Sequence, residues 1–133
     1  MIKDKAKIIV VDDDYSFRKA VARILVANKY RVLEQSHSIR AINSIIKEKP
    51  DLILLDLCMP EADGIEIIQT MNRMKIEIPV LVISGNLNRV DVRLLKNRGA
   101  RHILLKPIHM NELLTKVKET LESEISQDNY QST

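Results

Sequence analysis

Residues 52–55, with the sequence LILL, limit the folds open to this chain more than any other feature. A strand with one face in water alternates apolar and polar residues, whereas a strand that is buried on both faces is apolar throughout. The run is therefore typical of the interior of a parallel sheet that helices cover on both sides. It ends in Asp56, and the carboxyl end of such a strand faces the crevice in which open α/β sheets bind ligands.

The same unit, an apolar run followed by a segment with helical periodicity, repeats along the chain. The apolar runs begin near Ile8, Val32, Leu52, Val80 and Ile103. Between and after them, apolar residues three or four positions apart predict five helices. These helices are marked by Phe17, Val21, Ile24 and Leu25; by Ile39, Ile42, Ile45 and Ile46; by Ile65, Ile68 and Met71; by Leu87, Val90 and Leu94; and by Leu113, Leu114, Val117 and Leu121. Strands that alternate with helices imply right-handed crossovers and a parallel sheet.

The predicted fold is α/β: a doubly wound, five-stranded parallel sheet of the flavodoxin-like order 2-1-3-4-5, with five flanking helices. Glu34 and Gln35 interrupt the second apolar run, so we place that strand at an edge. The fourth helix is expected to stop near Gly99, a residue suited to a left-handed C-terminal cap. We expect residues 1–6 to be an N-terminal extension, 7–122 the domain, and 123–133 a polar tail or the start of a linker.

Length and composition exclude several other classes of protein. A chain of 133 residues, 45% hydrophobic and 29% charged, is typical of one globular domain. No apolar stretch approaches the roughly 18 residues of a membrane helix, and the N terminus lacks a signal-peptide core, so we expect a cytoplasmic protein without a membrane partner. The net charge of +3 is not concentrated in one basic stripe, which argues against direct nucleic-acid binding. A single cysteine, Cys58, excludes an internal disulfide framework and a Cys-rich metal site.

Polar residues follow four of the predicted strands. Strand 1 ends in Asp12-Asp13-Asp14, strand 3 in Asp56, strand 4 in Ser84-Gly85 and strand 5 in Lys106-Pro107. Parallel strands would bring these residues to the same edge of the sheet. Grouped carboxylates repel and raise one another's pKa unless a cation lies among them. An oxygen-only set of ligands favours a hard ion such as Mg²⁺, while Asp14 is also expected to cap the first helix.

The reaction that fits this set is attack of the Asp56 carboxylate on phosphorus, which gives an acyl phosphate. A bound metal ion would screen the charges of the carboxylate and the phosphoryl group. The Lys106 ammonium and the Ser84 hydroxyl would then engage the remaining phosphoryl oxygens. Gly85 is expected to leave space beside the hydroxyl.

These motifs resemble those of the receiver domain of two-component response regulators, over about residues 7–122. The matching segments are Val10-Val11-Asp12-Asp13, Asp56-Leu57-Cys58-Met59-Pro60 with Gly64, Ile83-Ser84-Gly85 and Leu105-Lys106-Pro107. The resemblance implies that Asp56 is the phosphoacceptor, Asp13 a direct Mg²⁺ ligand and Asp12 a ligand that acts largely through water. It also implies that the main-chain carbonyl of Cys58 completes the protein's share of the coordination.

The resemblance further implies the partners of the chain. A sensor histidine kinase or a phosphotransfer protein would donate the phosphoryl group. An output protein or domain would be engaged by the face made of the fourth helix, the fifth strand and the fifth helix. A receiver catalyses only its own phosphorylation and dephosphorylation, so we do not expect a turnover enzyme.

Two features of that output face are notable: the residue at position 103 and the basic side of the predicted fourth helix. Receivers often have an aromatic residue three positions before the lysine, whose rotation reports phosphorylation, and here that residue is Ile103. Arg89, Arg93 and Lys96 share one side of the predicted fourth helix. That side is interpreted as a solvated helix face, with docking of an acidic partner segment as the alternative.

Two other functions fit parts of the pattern. Residues 12–16, DDDYS, loosely imitate the opening motif of the haloacid-dehalogenase-like phosphatases, but the nucleophile would then be Asp12, and Asp56 would have no role. The chain is also too short for the cap and later metal motif of that family. The other alternative is a phosphorylation-independent receiver-like docking module, for which Ile103 is the supporting observation.

Overall fold

A computed structural model describes residues 6–59, 62–85 and 99–131 of the chain. The strands are β1 (Lys7–Val11), β2 (Arg31–Gln35), β3 (Leu52–Asp56), β4 (Cys58–Met59), β5 (Ala62–Asp63), β6 (Val80–Ser84) and β7 (Ala100–Leu105). The helices in the described ranges are α1 (Tyr15–Ala27), α2 (Ser38–Glu48), α3 (Gly64–Arg73) and α4 (Met110–Gln131). Strands β2-β1-β3-β6-β7 form one parallel sheet, so the predicted fold and strand order are confirmed.

Two apolar layers cover the sheet, one on each face. Ile8, Val10, Leu52 and Leu54 lie with buried residues of α1 and α4 on one face. Alternate residues of the same strands, such as Ile9, pack with α2 and α3 on the other face. Every residue of β3 and β6 is buried, as the unbroken apolar runs predict, whereas β2 lies at the edge. Within the described ranges, none of the helices has both the length and the apolar character to cross a membrane.

The fourth of the five predicted helices, marked by Leu87, Val90 and Leu94, falls in residues 86–98 and lies outside the described residues, as does its basic side. The glycine expected to end it, Gly99, has a φ of 108°, in the left-handed region that favours glycine. The structure therefore shows four of the five predicted helices in the part of the chain that it describes.

Two element boundaries and one pair of short strands differ from the predicted pattern. Strand β7 begins at Ala100, three residues before the apolar run that starts at Ile103. The apolar pattern did not predict this start, because Arg101 and His102 are polar. Helix α4 continues past residue 122 to Gln131, through the segment predicted to be a tail or linker. Strands β4 and β5 form a short antiparallel pair that was not predicted, because each strand has only two residues and so shows no apolar run.

Candidate functional site

Three carboxylates converge at the carboxyl ends of two neighbouring strands. Asp12 and Asp13 directly follow β1, and Asp56 is the last residue of β3, which pairs with β1 in parallel. One carboxylate oxygen from each residue lies within 4.8 Å of the others. Asp12 and Asp56 are 2% and 4% exposed, whereas Asp13 is exposed to solvent. These residues thus form an acidic cluster that could hold a metal ion. Two of its carboxylates are buried, and the third is open to solvent.

Backbone contacts hold the acidic loop between β1 and α1. The Asp12 amide donates to the carbonyl of Gln35, and the Asp14 amide donates to Oδ1 of Asp12 at 2.9 Å. The Asp14 carboxylate in turn accepts a hydrogen bond from the Phe17 amide at 3.2 Å, which makes Asp14 the N-cap of α1. The predicted cap is confirmed, and it links the acidic cluster directly to the first turn of α1.

The guanidinium of Arg18, a residue outside the sequence motifs, also supports Asp12. Arg18 donates from Nη1 to the main-chain oxygen of Asp12 at 2.9 Å and from Nε to Glu34 at 3.1 Å. The other oxygen of Glu34 accepts a hydrogen bond from Lys19 at 3.1 Å. Glu34, which marked β2 as an edge strand in the sequence, therefore orients Arg18 against the acidic loop. No short motif signals this pairing, because Arg18 and Glu34 come from different elements.

Lys106 closes the site from the far side. Its Nζ lies 3.0 Å from Oδ2 of Asp12 and 3.5 Å from Oδ2 of Asp56. It also lies 4.3 Å from the ring centroid of Phe17. The backbone fixes the position of Lys106, since its amide donates to the carbonyl of Ser84 at 2.8 Å at the end of β6. The peptide bond between Lys106 and Pro107 is cis.

Burial and charge shift the proton affinities of this cluster. The pKa of Asp12 is raised from its ordinary value of 3.8 to about 6, mainly by burial and also by the Asp56 charge, while the Asp14 amide and the Lys106 ammonium act to lower it. Burial by itself would lower the pKa of Lys106, but the hydrogen bond and charge of Asp12 and the charge of Asp56 leave it raised overall. Burial therefore disfavours the charged form of Asp12, which a cation bound beside it would stabilise.

Ser84 and Cys58 lie on the elements next to the cluster. Ser84 is the last residue of β6 and has no exposed surface, and β6 lies between the strands that carry Asp56 and Lys106. Cys58 comes two residues after Asp56 and begins β4, where its partner in β5 is Asp63. A Cβ added at Gly85 would meet no atom within 4 Å among the described residues.

Gly64 allows α3 to start directly against the end of β3. A Cβ at this position would lie 2.6 Å from the main-chain oxygen of Asp56 and 2.8 Å from the Cα of Leu57. The Gly64 amide donates to the carbonyl of Leu57 at 3.2 Å. A side chain would push the helix away from the backbone that carries the Asp56 carboxylate. Gly64 was part of the sequence motif, but this close approach is visible only in three dimensions.

The fold and the site define a flavodoxin-like α/β protein whose acidic crevice, at the carboxyl ends of its central strands, also contains a lysine. The family model of the response regulator receiver domain matches residues 8–118, and the chain belongs to this family of two-component signalling proteins.

Individual relatives agree with this assignment. Sporulation initiation phosphotransferase F of Bacillus subtilis is 32% identical over 117 residues, which cover 86% of this chain and 93% of that protein. Response regulator MprA of Mycobacterium avium is 31% identical over 95% of this chain, which spans 55% of the length of MprA. A CheY-like receiver domain protein from Methanospirillum hungatei superposes with a TM-score of 0.87 at 24% identity, covering 92% of this chain and 98% of the other, and supports the fold.

Proposed function

We propose that Asp56 is the phosphoacceptor of this receiver and that phosphorylation requires Mg²⁺. The observation that carries the proposal is the convergence of Asp12, Asp13 and Asp56 within 4.8 Å, with the Lys106 ammonium 3.5 Å from Asp56. Asp56 ends the fully buried central strand β3, so its backbone is held firmly. A firmly held nucleophile with a cation beside it favours phosphoryl transfer through positioning and charge stabilisation.

The residues present fit a hard divalent cation. All three side chains offer carboxylate oxygens, and a cation beside Asp12 would offset the burial that raises the pKa of this residue. Asp12, Asp13 and Asp56, with the main-chain carbonyl of Cys58, would hold Mg²⁺. When bound, the ion would supply neutralisation of charge on the phosphoryl oxygens.

Three side chains, those of Asp56, Lys106 and Ser84, would take part in the proposed phosphoryl transfer. An Asp56 carboxylate oxygen attacks phosphorus, a new oxygen–phosphorus bond forms, and the bond between phosphorus and the donor breaks. Lys106 donates hydrogen bonds from its ammonium to a phosphoryl oxygen, and the Ser84 hydroxyl is proposed to do the same. Lys106 must therefore release part of its interaction with Asp12 and Asp56 as the phosphoryl group arrives.

The proposed donor is a sensor histidine kinase or a phosphotransfer protein, and the proposed location is the cytoplasm. The only reaction we propose for the chain is its own phosphorylation and dephosphorylation. The output partner is proposed to bind the face made of the predicted fourth helix, β7 and α4. Leu105 of β7 is 53% exposed and offers this partner an apolar contact beside Lys106.

Intact-mass spectrometry tests the proposal. The wild type, incubated with acetyl phosphate and Mg²⁺, should gain the mass of one phosphoryl group, and it should gain none when the divalent metal is chelated. Asp56→Asn should gain none under either condition. A wild type that takes up no phosphoryl group from acetyl phosphate or from any kinase would refute the proposal. Turnover of a phosphate monoester that is lost in Asp12→Asn but kept in Asp56→Asn would instead support a phosphatase.

A further inference from the structure

Lys106 has a third partner besides the two carboxylates. Its Nζ lies 4.3 Å from the ring centroid of Phe17, the single phenylalanine of the chain. We propose that Phe17 is a positioning residue that holds the Lys106 ammonium over the site before and after phosphorylation. This inference rests on the proposed function of Asp56 and Lys106.

The Phe17 ring is held firmly enough for this role. It is half-buried and packs against the apolar core between the sheet and helices α1 and α4. Its amide donates to the Asp14 carboxylate, so the ring is attached to the same turn that begins with the acidic motif. The Phe17 ring and the Asp12 carboxylate therefore lie on the same stretch of chain, at the start of α1. Lys106, which follows β7, contacts both of them.

The Phe17 contact with Lys106 differs from the carboxylate contacts because neither a metal ion nor a phosphoryl group competes for it. Bound metal and an incoming phosphoryl group both draw on Asp12 and Asp56, which weakens their hold on Lys106. An aromatic face attracts an ammonium through its quadrupole and binds neither a metal dication nor a phosphate anion in this setting. The Phe17 contact can therefore persist while Lys106 changes its oxygen partners, and it keeps the ammonium from turning out to solvent.

Kinetics with acetyl phosphate and saturating Mg²⁺ test this role. Phe17→Leu keeps an apolar side chain but removes the aromatic face, and it should lower the maximal phosphorylation rate roughly two- to tenfold with little change in the half-saturating donor concentration. Phe17→Tyr and Phe17→Trp should restore the rate. The matched control is Tyr30→Leu, because Tyr30 is likewise a half-buried aromatic residue packed against the same apolar layer and has no ring contact with Lys106 among the described contacts. Its rate should equal that of the wild type.

A spectroscopic measurement separates positioning from a general effect on folding. In the wild type, the ring current of Phe17 should shift the methylene protons next to Lys106 Nζ upfield in ¹H–¹³C spectra, with assignment from Lys106→Met. The shift should persist after addition of Mg²⁺ and beryllium fluoride, a phosphoryl analogue, and should vanish in Phe17→Leu. Loss of the shift in the wild type on activation, or a Phe17→Leu rate equal to wild type, would overturn the inference. Phosphorylation of the wild type that requires Asp56 would still support the proposed function in either case.

Discussion

The side chains of Lys106 and Asp12, 94 positions apart in the sequence, meet at 3.0 Å across the site. Without a bound metal ion, this ion pair neutralises part of the negative charge of the acidic cluster. A metal ion and a phosphoryl group would each replace part of it, so we expect the contact that stabilises the resting protein also to oppose activation.

Asp12 should make the stability of the metal-free protein depend on pH. Its pKa is about 6 in the folded protein and close to 3.8 in the unfolded chain, so between these values the folded state retains a proton that the unfolded state has lost. This contribution to stability is full below about pH 4 and falls as the pH rises through 6, by on the order of 3 kcal/mol. Urea unfolding in the presence of a chelator, from pH 4 to 7, measures it. Asp12→Asn should gain stability relative to the wild type across this window, whereas parallel curves would contradict the assignment.

Lys106→Met should weaken the resting protein and strengthen its response to metal. Removal of the ammonium leaves two buried carboxylates without their cation, which should cost about 1–3 kcal/mol at pH 7, less than a fully buried pair because Lys106 is 23% exposed. Mg²⁺ should then raise the melting temperature more in the variant than in the wild type, because the ammonium no longer competes with the metal. Equal metal-induced shifts in the two proteins would argue against competition at Asp12.

Gly64→Ala should destabilise the protein by about 1–3 kcal/mol, because the new methyl group would overlap the backbone of Asp56 and Leu57. The matched control is Gly85→Ala, whose methyl group would meet no described atom within 4 Å. Its unfolding free energy should stay within about 0.5 kcal/mol of the wild type. Urea unfolding of the two variants gives the comparison, and similar costs at both glycines would contradict the close approach of α3.

Arg18→Met should lower the affinity for Mg²⁺ and cost about 1–2 kcal/mol of stability, since Arg18 donates to the main-chain oxygen of Asp12. Lys19→Met is the control, because Lys19 pairs with the same Glu34 but has no hydrogen bond to Asp12 among the described contacts. Its affinity for Mg²⁺, measured by calorimetric titration, should match the wild type. An equal loss of affinity in both variants would indicate that Glu34, and not Arg18, supports the loop.

The sequence predicted the strand order and the meeting of Asp12, Asp13, Asp56 and Lys106, because both follow from local patterns and the geometry of parallel strands. It did not predict the pairing of Arg18 with Glu34 or the contact of Phe17 with Lys106. Those contacts depend on how α1 packs against the sheet, which no local pattern encodes.

Ile103, three positions before Lys106, lies where receivers often have an aromatic residue. Its side chain is half-buried and packs against the core that includes Val82, its neighbour across the sheet. An aliphatic residue in this place cannot perform an aromatic rotation.

The chemical identity of the phosphorylated residue decides whether Asp56 is the phosphoacceptor. Borohydride reduces an aspartyl phosphate to homoserine, so treatment of the acetyl-phosphate-labelled protein followed by peptide mass mapping should locate homoserine at position 56 alone. No homoserine should form without Mg²⁺ or in Asp56→Asn. Homoserine at Asp12 or Asp13, or phosphoryl label that resists borohydride, would contradict the assignment of Asp56 as the phosphoacceptor.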